Sequence, residues 1–339
     1  MRTAVLVFAL SLSLCVLIYG CTVPPTVQSA AVVHEQFFNY TVHFCAMEDC
    51  MKLLTAELAG ATGSIDCALY GISNDLLSSL ADQRNTTVRI VVDSKAVVTE
   101  KYIESGMVYE YKGLGIMHNK YCIIDNRTVL TGSFNPTAAA GKDGRDYNNM
   151  LIINSTMLAA YYTADFHQLR EGQHRQKSQA QQAKQAAVTL NETLVQAFFC
   201  PADNCAAGLI RELRKANHSI FFAAYSFTSA EIANELVLMA AAGVNVSGII
   251  EQSTTGSKYS KHGALAANSI NVKLESSKKL MHHKFFVIDN SVVITGSFNP
   301  TENADKKNAE NLIIITNKEV AKKYAKEFSR IYGGLGVFK

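Results

Sequence analysis

Apolar and polar positions fall into short blocks, and the order of the blocks repeats along the chain. An amphipathic block, Met51 to Ala61, precedes an apolar run from Ile65 to Tyr70. A second amphipathic block, Asn74 to Gln83, precedes a β-branched run from Val88 to Asp93. The same series recurs as Ala206 to Ala216, Ile220 to Tyr225, Ala230 to Ala242 and Val246 to Glu251. Each half closes with an apolar run (Asn149 to Ile153; Asn311 to Ile315) and a helical block (Thr156 to Arg170; Lys318 to Ile331). Strands alternating with helices predict an α/β architecture, its mixed sheets flanked by helices on both faces. The Gln/Ala/Lys-rich stretch from Gln173 to Ala187 has no apolar stripe, and reads as a helical link between the halves.

Local identity confirms a tandem repeat. Cys45-Ala-Met-Glu-Asp-Cys50 matches Cys200-Pro-Ala-Asp-Asn-Cys205, and Met117-His-Asn-Lys matches Met281-His-His-Lys. The chain therefore divides into a leader (1–21), a first repeat (35–172), a helical linker (173–190) and a second repeat (191–339). The second repeat carries an insertion around Ser253 to His262.

The repeated residues carry chemistry. The first half holds His118, Lys120 and Asp125, then Gly132, Ser133 and Asn135; the second holds His282, Lys284 and Asp289, then Gly296, Ser297 and Asn299. Histidine and lysine two apart on a strand leave the same face. Asp125-Asn126 and Asp289-Asn290 are turn formers, so a hairpin brings the Ser and Asn back beside the His and Lys. Imidazole serves as nucleophile or as acid and base near neutral pH, and lysine as a point charge for a phosphate oxygen. Asn and Ser add hydrogen bonds to the oxyanion. Two copies supply one histidine to attack and one to protonate the leaving oxygen. Two lysines stand where a metal cage would otherwise sit, so no cofactor is expected.

These elements resemble the two HKD motifs of the phospholipase D superfamily, including the trailing Gly-Ser-Phe-Asn. The resemblance implies two α/β repeats packed about a pseudo-twofold axis, with both motifs meeting at one site. It also implies a covalent phosphohistidine intermediate formed without a metal. By this analogy His118 is the nucleophile and His282 the acid, though the sequence alone does not order them. Lys120, Lys284, Ser133, Ser297, Asn135 and Asn299 would hold the phosphate. The motif aspartates would act mainly as structural partners, slightly outside the chemistry. Members often place an acidic residue before the last strand to orient a histidine. Glu310 fits in the second repeat. In the first, Asp146 has the right spacing from His118, whereas strand register aligns Asn148 with Glu310; Asp146 is favoured because a carboxylate stabilises an imidazolium better than an amide does.

Composition narrows the setting. The chain has 339 residues, 48% hydrophobic, with 32 Lys+Arg against 29 Asp+Glu. So mild a charge neither demands nor excludes nucleic acid. Arg2 followed by the apolar run Ala4 to Tyr19 reads as an export signal, and Cys21 as a lipidation site or the edge of a cleaved or retained leader. Cys45 with Cys50 and Cys200 with Cys205 are candidate disulfides of an exported protein, while Cys67 and Cys122 in apolar runs read as buried thiols. Seven Asn-x-Ser/Thr sequons begin at Asn39, Asn85, Asn126, Asn154, Asn191, Asn217 and Asn245. They mark either glycosylation or a surface rich in Asn, Ser and Thr.

Three functions remain open: a phospholipase D-type enzyme on phospholipid head groups, with possible association with a membrane surface; an exported nuclease; and a binding module that has kept the fold. With both motifs in one chain, a monomer is expected. His283, between His282 and Lys284, points to the opposite face. Tyr70 and Tyr225 occupy matching strand ends and either line the pocket or pack.

Overall fold

The computed structural model describes residues 33–35, 39–137, 146–173, 186–190 and 192–335. The expected leader, Cys21, residues 174–185 of the expected helical linker and the Asn191 sequon lie outside the described residues.

A short strand, β1 (Val33–Glu35), leads into the first repeat: β2 (Asn39–Phe44), α1 (Cys50–Ala59), β3 (Ser64–Leu69), α2 (Asn74–Ala81), β4 (Thr87–Val92), α3 (Glu100–Glu104), β5 (Val108–Glu110), β6 (Lys120–Ile124), β7 (Thr128–Gly132), β8 (Asn149–Asn154) and α4 (Thr156–Arg170). After β9 (Ala186–Leu190) the series repeats: β10 (Thr193–Cys200), α5 (Cys205–Leu213), β11 (Ser219–Ala224), α6 (Ala230–Ala241), β12 (Asn245–Glu251), α7 (His262–Ala267), β13 (Asn271–Glu275), β14 (Lys284–Ile288), β15 (Val292–Gly296), α8 (Glu302–Lys306), β16 (Glu310–Thr316) and α9 (Lys318–Gly334). Short polar side chains start the helices. Ser73, Ser155, Ser229 and Asn317 each accept a hydrogen bond from a backbone N–H of the first turn.

The strands form two sheets with one shared topology. The first is ordered β2-β8-β7-β6-β3-β4-β5; the second is β10-β16-β15-β14-β11-β12-β13, extended beyond β10 by β9 and β1. In each, three parallel strands join antiparallel ones. The register defines two poles. Leu69 lies opposite Lys120, Gly132 opposite Met150 and Phe44 opposite Asn149 at one end. Ile65 lies opposite Ile124, and Asn154 opposite both Thr128 and Asn39, at the other.

Three apolar clusters hold these layers. The central one joins both sheets to the closing helices α4 and α9, through Tyr121, Tyr162 and Phe166 from one half and Phe199, Phe285 and Tyr324 from the other. Outer clusters fix α1 and α2 to the first sheet, and α5 and α6 to the second. The halves are thus one body.

Two expectations are corrected. The first closing helix ends at Arg170, and Ala186–Leu190 is a strand paired with both β1 and β10 rather than the end of a helical linker. Pairing to an exposed sheet edge overrides the Ala-rich helical propensity there. Cys67 and Cys122 are joined as a disulfide and are not free thiols. They lie directly opposite across the antiparallel β3–β6 pair, with Cα atoms 4.1 Å apart. The equivalent positions of the second repeat hold Phe222 and Phe286, stacked at 5.7 Å. Cys45–Cys50 and Cys200–Cys205 are also bonded. The three disulfides among the described residues indicate an oxidising, extracytoplasmic environment. No described helix is long and apolar enough to cross a membrane.

Candidate active site

Each histidine stands at the mouth of a hairpin at one pole of its sheet. The chain runs into β6 through Met117-His118-Asn119 and into β14 through Met281-His282-His283. A buried carboxylate fixes each of these approaches: Asp93, just past β4, accepts the Met117 N–H at 2.8 Å, and Glu251, ending β12, accepts that of Met281 at 2.9 Å. Sequence reading missed this pair, although an acidic residue closing each β-branched run was a visible signal. The glycines ending β7 and β15 are forced. Gly132 and Gly296 have φ of 144° and 135°, and a Cβ on either would stand 2.3 Å from the carbonyl oxygen of Asn149 or Asn311.

The two mouths are laced together. Met117 bridges to Ala309, and Tyr147 to Met281. The His118 N–H donates to the Ala309 carbonyl at 2.8 Å, and the His282 N–H to that of Tyr147 at 3.1 Å. Each histidine therefore lies at the start of the other repeat's last strand, His118 beside the first residue of β16 and His282 beside the residue just before β8. His118 Nδ1 is 2.7 Å from Glu310 Oε2, and His282 Nδ1 is 2.8 Å from Asn148 Oδ1. This overturns the expected orienter. Asp146 instead accepts the Leu280 N–H, and Asn148 faces His282 rather than the histidine of its own repeat. The reason is the crossed pairing, which no intra-repeat spacing reveals.

Ser133 and Ser297 also depart from expectation. Both are fully buried and point to the orienters, not into the cleft: Ser133 Oγ donates to Asn148 Oδ1 at 3.0 Å and Ser297 Oγ to Glu310 Oε2 at 2.5 Å. They set which face of the amide or carboxylate meets the imidazole. With Nδ1 so engaged, Nε2 of each ring is left for chemistry.

Lys120 and Lys284 each spend one ammonium proton on the carbonyl of their own histidine, at 2.7 Å in both cases. Two further donors remain on each. Tyr70 and Tyr225 close the walls, their rings 5.2 Å from His118 and 5.4 Å from His282, under Lys120 and Lys284 respectively. Among the described residues, the amide oxygens of Asn135 and Asn299 are buried with no hydrogen-bond partner. Asn311 accepts the Lys120 N–H at 3.0 Å and so ties the first motif to the second repeat.

The motif aspartates lie at the opposite pole, about 17 Å along strands β6 and β14 at roughly 3.3 Å per residue. Asp125 accepts the N–H groups of Thr62, Gly63 and Ser64; Asp289 accepts those of Asn217, His218 and Ser219. Burial would raise these carboxyls, but the backbone donors hold both below the usual range. They cap loops and touch nothing in the cleft, so they stand farther out than expected. His283 is fully buried on the other face, beside Asn149 at 3.1 Å and Glu327 at 3.5 Å.

The charge balance favours an anion. Burial lowers the pKa of His118 against the pull of Glu310. Burial, then Lys284, Lys120 and His118, hold His282 well below the histidine range. Burial pushes Lys120 down to about 7, and burial with Lys120 depresses Lys284. Burial would raise Glu310, but His118, Lys120 and the Ser297 hydroxyl keep it ionised. Two lysines and two histidines thus share one carboxylate, and an incoming phosphate would relieve their mutual repulsion. Among the described residues no group of three His, Cys, Asp or Glu is arranged to hold a metal.

Comparison with known proteins agrees with this geometry. A family model described as "Cardiolipin synthase, PLD-like domain" matches residues 54–170 and 209–332, one segment in each repeat. A phospholipase D of Rickettsia conorii is 37% identical over 135 residues, 40% of this chain and 68% of that protein. A mitochondrial cardiolipin hydrolase of Xenopus tropicalis is 32% identical over 136 residues, 39% of this chain and 65% of that protein. The fold matches the crystal structure of a phosphatidylserine synthase of Haemophilus influenzae Rd KW20 with a TM-score of 0.67, over 89% of this chain and 87% of that one, at 13% identity. Two interlocked His-Lys hairpins on this scaffold, with a family match across both halves, make the chain a member of the phospholipase D superfamily.

Proposed function

We propose that the chain hydrolyses phosphodiesters by double displacement, His118 as nucleophile and His282 as acid and base. The observation that carries the assignment is the unequal pair of orienters. His118 Nε2 attacks phosphorus; the bond to the leaving oxygen breaks, and His282 Nε2–H protonates that oxygen. The phosphohistidine ring is cationic, and the Glu310 carboxylate at Nδ1 stabilises it. In the free site burial and the repulsion of Lys284, Lys120 and His118 keep His282 neutral. The bound diester anion offsets that repulsion so that the ring takes up an Nε2 proton, and the neutral amide of Asn148 keeps it the stronger acid. His282 then takes a proton from water, the oxygen attacks phosphorus, and the Nε2–P bond breaks. Lys120, Lys284, Asn135 and Asn299 hold the phosphate oxygens throughout, so the lysines supply the charge that a metal would.

Phospholipid is the substrate this reading favours. The relatives named phospholipase D and cardiolipin hydrolase support it. Export of the chain, as a secreted, periplasmic or membrane-anchored protein, would bring the cleft to a lipid surface. One observation supports a second reading as a nuclease: Tyr70 and Tyr225 flank the lysines with ring faces on which bases could stack. Both motifs lie in one chain, so a monomer completes the site.

The test offers phospholipid liposomes and single-stranded DNA in parallel, with EDTA present. Head-group release without DNA cleavage is expected. DNA cleavage alone would replace the lipid reading, and dependence on added metal would overturn the mechanism. His118→Ala and His282→Ala should each abolish turnover of natural diesters in a folded protein.

A further inference from the structure

The candidate active site leaves one feature of the sequence unused, the excess of sequons. Seven Asn-x-Ser/Thr triplets without proline occur where composition predicts about three. Their positions in the fold are not scattered. Asn39 opens β2 and Asn154 ends β8, directly opposite one another. Asn85 precedes β4, Asn217 precedes β11 and Asn245 opens β12, where it pairs with Ser219. Asn126 forms the tight turn between β6 and β7, with φ of 51°. All six lie at the pole carrying Asp125 and Asp289, about 17 Å or more from the lysines at roughly 3.3 Å per strand residue. Asn39, Asn85, Asn126, Asn217 and Asn245 are exposed; Asn154 is half-buried and accepts from Arg127 Nε at 3.0 Å.

The site pole shows the converse. Two further Asn-x-Thr triplets exist, and they are the phosphate-site turns Asn135-Pro136-Thr137 and Asn299-Pro300-Thr301. In both, proline occupies the middle position and removes acceptor function. Every triplet near the cleft is therefore blocked, and every described triplet open to modification is at the far end. A surface merely rich in Asn, Ser and Thr has no reason to sort this way. The three disulfides indicate the oxidising compartment in which such modification occurs.

We propose that the chain carries N-linked glycans clustered on the pole opposite the active site, with Asn39, Asn85, Asn126, Asn217 and Asn245 as acceptors. The donor is a lipid-phosphate-linked oligosaccharide. The Asn Nδ2–C1 bond forms, the bond from C1 to the phosphate oxygen breaks, the lipid phosphate leaves with the electron pair, and one amide proton is lost to base. Bulky hydrophilic glycans at that pole keep it solvated and leave the cleft as the face free to meet a substrate. The inference depends on the position of the cleft and not on which diester it cleaves.

Glycopeptide mapping by mass spectrometry, on protein recovered from its own cells, tests it directly. Added sugar mass is expected on these asparagines. Recovery of all five peptides at unmodified mass would overturn the proposal, as would sugar mapped to the site pole. A variant with all five changed to Gln, made in the same cells, should lose that mass and keep kcat within about twofold, since the substitutions are exposed and distant. Retention of the full mass would place the glycans elsewhere and refute the assignment. Should that variant fail to fold, the peptide map of the unaltered protein decides alone.

Discussion

Glu310→Gln isolates the charge on the His118 orienter while keeping its shape. Glu310 Oε2 accepts from both His118 Nδ1 and Ser297 Oγ, and Oε1 accepts from Asn308 Nδ2 at 3.2 Å. A glutamine oxygen can accept the same two bonds, as Asn148 already does from His282 and Ser133. Only the Asn308 side chain must turn over, to present its oxygen. The protein therefore contains the precedent for its own variant, and folding should survive. What is lost is the charge facing the ring when it becomes cationic. Unit charges about 4 Å apart interact by about 4 kcal/mol at an effective dielectric of about 20. A neutral hydrogen bond retains about 1 kcal/mol of this. The remaining loss of about 3 kcal/mol is roughly a hundredfold in the rate of phosphohistidine formation. The assay is release of p-nitrophenolate from bis(p-nitrophenyl) phosphate under single-turnover conditions, a leaving group that needs no acid. A rate within about threefold of wild type, in a variant with an unchanged melting temperature, would refute the stabilising role of Glu310.

Three other outcomes follow from the same geometry. Asn148→Asp puts a carboxylate on His282 Nδ1 and makes that ring a weaker acid; turnover of alkyl diesters should fall, with p-nitrophenolate release little changed, and equal effects on both substrates would contradict the acid role. Lys120 titrates near 7 and binds an anion only when protonated, so its contribution is present at lower pH and lost as pH rises through that value. Calorimetric affinity for sulfate, which does not titrate in this range, should weaken by about tenfold per unit between pH 7 and 9; a flat profile would show that the lysines are charged throughout. Asp125→Ala or Asp289→Ala removes an acceptor shared by three backbone N–H groups and should cost about 1–3 kcal/mol in thermal unfolding, while leaving kcat of the folded enzyme unchanged; a large fall in kcat without loss of stability would return the aspartate to the chemistry.

Much of this was legible in the sequence because the repeat prints every element twice. The closing strand and helix are bounded almost as expected, with Thr156–Arg170 the same in both. The His-Lys pairs were legible because a period of two puts both on one face of a strand. What stayed hidden depends on neighbours that sequence order does not specify. Glu310 and Asn148 trade partners because the two hairpin mouths pair crosswise. Cys67 finds Cys122 only once β3 and β6 are known to be adjacent. Ser133 and Ser297 sit at the expected distance from the histidines along the chain, but the positive φ of the preceding glycine turns the backbone, and their hydroxyls meet the orienters. Ala186–Leu190 reads as helix by composition and becomes a strand because an edge was waiting for it.

In the proposed mechanism two imidazoles, one from each half, act on one phosphorus atom in different roles. Trapping addresses it most directly: His282→Ala is mixed with bis(p-nitrophenyl) phosphate, quenched without acid, digested and mapped by mass spectrometry. The expected result is one equivalent of p-nitrophenolate released in a burst and a phosphoryl adduct on His118, with no adduct formed by His118→Ala. An adduct on another residue, or turnover with no covalent species in either variant, would contradict it.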